Sequence, residues 1–196
     1  MGIKTTKLKT IAIIGDSFSA DEGNDSWVTK LSTNYNVINF SQRGISEYRL
    51  YSNIIKNIEE LSKADAVIIF HTNVDRIFVP DHIVFQSRQL PTHTQMDLIA
   101  NDASTDKHWK KIARYYYKYF YDQSQQNCFY QLLVEKIDQL IAPQKIHCSG
   151  FDIDIEFKLI SIKLFNEVRI EHPGTVNHLT AVGNQIVYNY LENIIQ

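Results

Sequence analysis

The sequence predicts an α/β fold: one domain, built as a three-layer α/β/α sandwich around a central, mostly parallel sheet. Three observations carry that expectation. Short apolar, β-branched runs at 10–15, 36–40 and 64–70 alternate with segments of helical period, and strands separated by helices pair in parallel through right-handed crossovers. The run ADAVIIF lacks polar alternation, as expected of a strand covered on both faces. The first run, TIAIIG, stops abruptly at Asp16-Ser17, a polar turn at the strand end where open parallel sheets bind their ligands.

Each element has its own signal. Residues 10–15 read as a buried strand closed by a turn. Asp25 stands before WVTKLSTNY, which predicts a short helix capped by that aspartate. NVINF, 36–40, is a second strand. Over 46–62, Leu50, Ile54, Ile55, Ile58 and Leu61 recur at the spacing of an amphipathic helix. Residues 64–70 form the third strand. The stretch 75–105 holds Pro80 and Pro91 and little periodicity, and reads as an irregular insert or lid. Helices follow over 106–122 and 125–141, the second ended by Pro143. KIHCSG, 145–150, is a fourth strand candidate, and 151–170 alternates in its first part like an edge strand. The segment 180–195 predicts a helix capped by Thr180, with Val182, Ile186, Tyr190 and Ile194 on one face. No repeat or linker divides the chain, so 1–196 reads as one domain.

Composition narrows the function classes. The 196 residues are 44% apolar and 21% charged, the proportions of an ordinary soluble globular protein. A net charge of -2 gives no pull toward nucleic acid or an anionic membrane. Cys128 and Cys148 lack metal-ligand spacing and read as free thiols of a reducing compartment. The apolar stretch after MGIKTTKLKT covers only 11–14, too short for a leader or a membrane span. The expected location is therefore cytoplasmic, with a virion-borne or leaderless exported protein as the other option. MGIKTT also fits the loose myristoylation pattern, which is common by chance. His82, His93 and His108 fit no metal spacing, so no metal or organic cofactor is expected. The rings of 115–121 point in different directions on a helix and are expected to pack mostly against the sheet or a partner subunit of a homo-oligomer. Lys107, Lys110, Lys111, Arg114 and Lys118 read as a solvated basic face.

The chemistry-bearing residues gather at the strand ends. Gly15-Asp16-Ser17 follows the first strand, Gly44-Ile45-Ser46 the second, and His71-Thr72-Asn73 the third; Asn177-His178-Leu179-Thr180 precedes the last helix. A serine at such a turn can point its hydroxyl into the cleft while its own N–H faces a developing oxyanion. His178 is the candidate base for Ser17. Gly44 can offer a backbone N–H at close approach, and Asn73 a side-chain amide. Each residue has a plainer reading. Ser17 suits a helix cap, Asp16 a turn tie, Gly44 a tight turn, and Arg76 a salt bridge as well as a substrate carboxylate.

Taken in order, these blocks resemble the SGNH, or GDSL-type, serine hydrolases. IIGDSFS matches the first block with Ser17 as nucleophile, and INFSQRGIS the second with Gly44. IIFHTN matches the third with Asn73, and NHLTAVGNQIVYNYL the last with His178 and, behind it, Gly183. The blocks span 11–191. The resemblance implies a flavodoxin-like sandwich and an ester hydrolase. Ser17 would attack a short acyl ester of a sugar or small metabolite, His178 would take the proton, and Ser17, Gly44 and Asn73 would hold the oxyanion. Two positions depart from the pattern. Thr175 stands where the family carries an aspartate three residues before the histidine, which leaves a Ser–His dyad backed by a carbonyl, or a lost or weakened activity. His71 and Val74 replace a glycine and an aspartate of the third block, which leaves Thr72 or His71 as alternatives to Asn73 facing the site. The rival function is a catalytically weak SGNH-like module that binds glycan or serves as an accessory protein, for example of a bacteriophage. A phosphate-binding doubly wound protein is disfavoured by the acidic residues in GDSFSADEG.

Overall fold

A computed structural model gives the fold, and it describes residues 8–20, 23–80, 97–100, 107–151, 167, 168, 170, 171 and 179–196. Four strands form one sheet: β1 (Thr10–Gly15), β2 (Asn36–Asn39), β3 (Ala66–His71) and β4 (Gln144–Ser149). Their order is β2-β1-β3-β4, and every pairing is parallel. Ile13 lies opposite Asn39 on one side and Ile68 on the other, so β1 runs down the middle. The helices are α1 (Trp27–Leu31), α2 (Glu47–Lys56), α3 (Ile58–Leu61), α4 (Lys107–Tyr119), α5 (Gln123–Leu140) and α6 (Ala181–Ile195).

Strand periodicity divides the core in two. Ile11, Ile13, Ile68 and Phe70 face one side and pack with Trp27 and Leu31 of α1 and Val187 and Leu191 of α6. Ala12, Ile14, Val67 and Ile69 face the other and pack with Leu50 and Ile54 of α2 and Ile137 of α5. The result is the expected three-layer α/β/α arrangement. Each fully buried isoleucine contributes roughly 1.5–3 kcal/mol of transfer free energy, so the central strands are the fold's main anchor.

Several expectations change at element ends. Ser26, not Asp25, caps α1: its hydroxyl accepts the Thr29 N–H at 3.1 Å. The helix of 46–62 is two helices that meet at Asn57, and Ile55 is exposed. In α6 the buried face is Gly183, Asn184, Val187, Leu191 and Ile195, one position round from the predicted stripe, and Val182 is exposed. Thr180 does cap that helix, through the Gly183 N–H. The proposed edge strand of 151–170 falls largely outside the described residues, as do 81–96 of the insert. The described base of the insert is ordered by an antiparallel bridge, Ile77 to Leu98. Tyr115, Tyr119 and Phe120 are exposed instead of packing on the sheet. Tyr117 and Tyr121 instead donate to Asp75, in the loop after β3. Lys111 and Lys118 lie over the Tyr115 and Tyr119 rings. Cys128 is exposed and Cys148 buried, and among the described residues neither forms a disulfide. Among the described residues, no helix is long and apolar enough to cross a membrane.

Candidate functional site

The turn after β1 is built around glycine and aspartate. A Cβ on Gly15 would collide with the Phe70 backbone and side chain and lie 2.7 Å from Ser19 Oγ, so only glycine fits where β1 presses on β3. The chain then closes one hydrogen-bonded turn, with Ser19 and Ala20 N–H both donating to the Asp16 carbonyl. Asp16 Oδ1 accepts the Phe18 N–H at 2.9 Å, arching past Ser17. Asp16, Phe18 and Ser19 are buried, whereas Ser17 is half-buried. The turn therefore presents Ser17 and tucks its neighbours away. Ser19 Oγ donates to the Asp16 carbonyl and is structural. Burial pushes the Asp16 carboxyl up to about 7, against the pull of the Phe18 N–H and the nearby Arg76 charge.

The neighbouring strand ends bring the other predicted residues to the same edge of the sheet. Gly44 is buried with φ at 69°, a conformation that favours glycine, and its carbonyl accepts from Asp97 N–H and Arg76 Nη1. Asn73 is half-buried; its side-chain carbonyl accepts the Asp75 N–H at 2.8 Å and its backbone carbonyl the Arg76 N–H. Arg76 Nη1 also donates to the Asp97 carbonyl at 3.1 Å, so this guanidinium ties two loops together. Thr72 is buried and donates its hydroxyl to the Ile45 carbonyl. His71 is fully buried and points its ring at Glu47 and His147. Thr175 and His178 lie outside the described residues. The chain just beyond them is nonetheless tied to the Ser17 turn. Trp27 Nε1 donates to the Phe18 carbonyl, Trp27 N–H donates to Asn184 Oδ1, and Asn184 Nδ2 donates to the Leu179 and Thr180 carbonyls.

Beside this edge lies a cavity of about 270 Å³ lined by Glu47, Arg76, Phe78, Phe129, Tyr130 and Leu133, among others. Its base is held by an ion pair: buried Asp97 receives Arg49 Nη2 at 2.7 Å and Nε at 3.0 Å, together with the Ser46 hydroxyl and the Val79 N–H. The Arg49 guanidinium also covers the Phe78 ring at 4.7 Å.

Sequence reasoning missed a line of side chains that runs from the cavity along the α2 and α5 face of the sheet. Glu47 Oε1 meets His71 Nδ1 at 2.6 Å, His71 Nε2 meets His147 Nδ1 at 2.8 Å, and His147 Nε2 meets Asp138 Oδ1 at 3.1 Å. The two rings are parallel within 4°. Burial and the adjacent His71 push the His147 ring down to about 3, against the pull of Asp138. The available signal was His71 at the end of the apolar run IIFH and His147 between Ile146 and Cys148 in KIHC. Among the described residues, no group of three or more His, Cys, Asp or Glu side chains is arranged so that it could hold a metal ion. No family model matches the chain, and no curated protein matches it.

Proposed function

We propose that the protein is a serine ester hydrolase of the SGNH type, acting on a short acyl ester of a sugar or small metabolite. The observation that carries this reading is Ser17, half-buried at the turn that ends β1 while its neighbours Asp16, Phe18 and Ser19 are buried. The bonds from Phe18 through Trp27 and Asn184 to Leu179 support it, because they tie the segment that follows His178 to the Ser17 turn. Ser17 Oγ attacks the ester carbonyl as His178 takes its proton, and the alcohol leaves with that proton. Water then releases the acid from the acyl-enzyme. Backbone N–H groups of Ser17 and Gly44 and the Asn73 amide are the proposed oxyanion donors.

Labelling with a fluorophosphonate probe, located by mass spectrometry, tests this. The expected result is modification of Ser17 in the wild type and none in Ser17→Ala or His178→Ala. A folded wild type that stays unlabelled overturns the reading. It would favour the second one, a glycan-binding accessory module, whose support is the exposed Tyr115 and Tyr119 pair with centroids 5.9 Å apart.

A further inference from the structure

The chain Glu47–His71–His147–Asp138 runs from a cavity floor to solvent. The Glu47 side chain is 3% exposed and lines the cavity; His71 is 0% exposed and His147 6%; Asp138, at the far end, is 43% exposed. Four ionisable groups on α2, β3, β4 and α5 thus form one unbroken line of three hydrogen bonds.

Counting protons shows what such a line can do. Two neutral imidazoles carry one N–H each, yet three gaps must be bridged. With both carboxylates ionised and both rings neutral, one gap has lone pairs facing lone pairs, a costly contact in a buried site. The fully bonded chain therefore holds one further proton and a net charge of -1. With both rings neutral, that composition allows two arrangements with every bond made. In the outward one, Asp138 holds O–H, and both rings carry their hydrogen on Nδ1 and donate toward Glu47. In the inward one, Glu47 holds O–H, and both rings carry their hydrogen on Nε2 and donate toward Asp138. Moving each proton across its own gap converts one into the other. Asp138 loses a proton, Glu47 gains one, and neither ring changes its net charge.

We propose that this chain is a proton relay, joining the surface carboxyl Asp138 to Glu47 on the floor of the Arg76 cavity, where Glu47 exchanges a proton with the occupant. When Glu47 recovers its proton equivalent, the reverse shift resets the chain. The surroundings of Asp138 favour its ionised form. At the outer end Lys145 Nζ pairs with Asp138 Oδ1 at 2.9 Å, and although desolvation raises that carboxyl, the lysine and His147 bonds outweigh it and hold it below its ordinary value. At the inner end Glu47 Oε2 accepts the Thr72 N–H at 3.3 Å. The buried Tyr130 phenol, the Asp16 carboxyl and the Arg76 guanidinium are the remaining ionisable groups of that end. A relay explains why a glutamate and two histidines, each costly to bury singly, are buried in line. It stands whether or not Ser17 is a nucleophile.

Nitrogen NMR of histidine-labelled full-length protein reads each ring separately. As acid adds the chain's third shared proton, the His71 and His147 nitrogens are expected to change together, at one midpoint. In Asp138→Asn neither ring shows that step, and exchange of the His71 N–H with water slows at least about tenfold, because the route for its proton is cut. Asp138 is half exposed, so this variant keeps the fold, and His147→Gln provides a second interruption. A His147 response with His71 unmoved, no response from either ring, or equal His71 exchange in wild type and Asp138→Asn overturns the relay.

Discussion

Asp16 shows how one side chain serves both fold and site. Its carboxyl fixes the turn that presents Ser17, and its burial raises its pKa from 3.8 to about 7. The folded state therefore binds the Asp16 proton more tightly than the unfolded state does. Stability contributed by this residue is present below pH about 4 and is lost as pH rises to about 7. His147 acts in the opposite sense, because its lowered pKa removes stability as pH falls below 6.5 toward about 3. The two slopes overlap and partly cancel in the wild type. Asp16→Asn keeps an acceptor for the Phe18 N–H and removes only the first slope. Denaturant unfolding is expected to find the variant more stable than wild type at pH 8, by at most roughly 4 kcal/mol, with the difference vanishing near pH 4. Equal gaps at both pH values would show that Asp16 ionises freely. A second comparison at this scale separates neighbours. Ser26→Ala is expected to cost about 1 kcal/mol and Asp25→Ala only a few tenths, since the Ser26 hydroxyl holds the Thr29 N–H.

The elements carry the insert. Asp97 stands where the described chain resumes after 81–96, and it is clamped on Arg49, Ser46 and Val79. Removing one partner of a buried pair leaves the other uncompensated, so Asp97→Ala is expected to lose about 3–5 kcal/mol. Thermal unfolding measures that loss, and a shift of under about 1 kcal/mol would show that the clamp is dispensable. The strands and α4, α5 and α6 were legible in the sequence because runs such as IAII and AVIIF have few structural alternatives, and because long periodic helices announce themselves. The Asp25 cap was misread because two good capping residues are adjacent and only backbone direction chooses between them. The rotated α6 face follows from Asn184, a polar residue buried because its amide bonds Trp27, Leu179 and Thr180. Glu47 was hidden for the opposite reason: an acidic residue in the first turn of a helix ordinarily faces solvent, and only the partner histidines on β3 and β4 bring it inside. Of the candidate site, the order of strand-end motifs was readable. The commitments of Thr72 and Arg76 to neighbouring loops depend on contacts between segments far apart in the chain.

The whole molecule places its chemistry at the carboxyl edge of β2, β1 and β3, with the Ser17 turn on the central strand and the Gly44 and Asn73 loops on either side. The cavity and the proposed relay lie on the α2 and α5 face, while the contacts from Phe18 to Leu179 lie on the α1 and α6 face. The two functional proposals therefore separate in experiment. Asp138→Asn is expected to leave probe labelling of Ser17 unchanged while altering the histidine spectra, and a loss of labelling in that variant would join the two sites. The split core also has a consequence in time. Among the described residues, the side of the sheet holding Ala12 and Ile14 has its covering core residues once Ile141 is made, whereas the side holding Ile11 and Ile13 still awaits Val187, Leu191 and Ile195. A ribosome that pauses between these points displays a half-closed sheet whose Ile11 and Ile13 face is covered by α1 but not yet by α6, and that nascent chain is the form most in need of a chaperone.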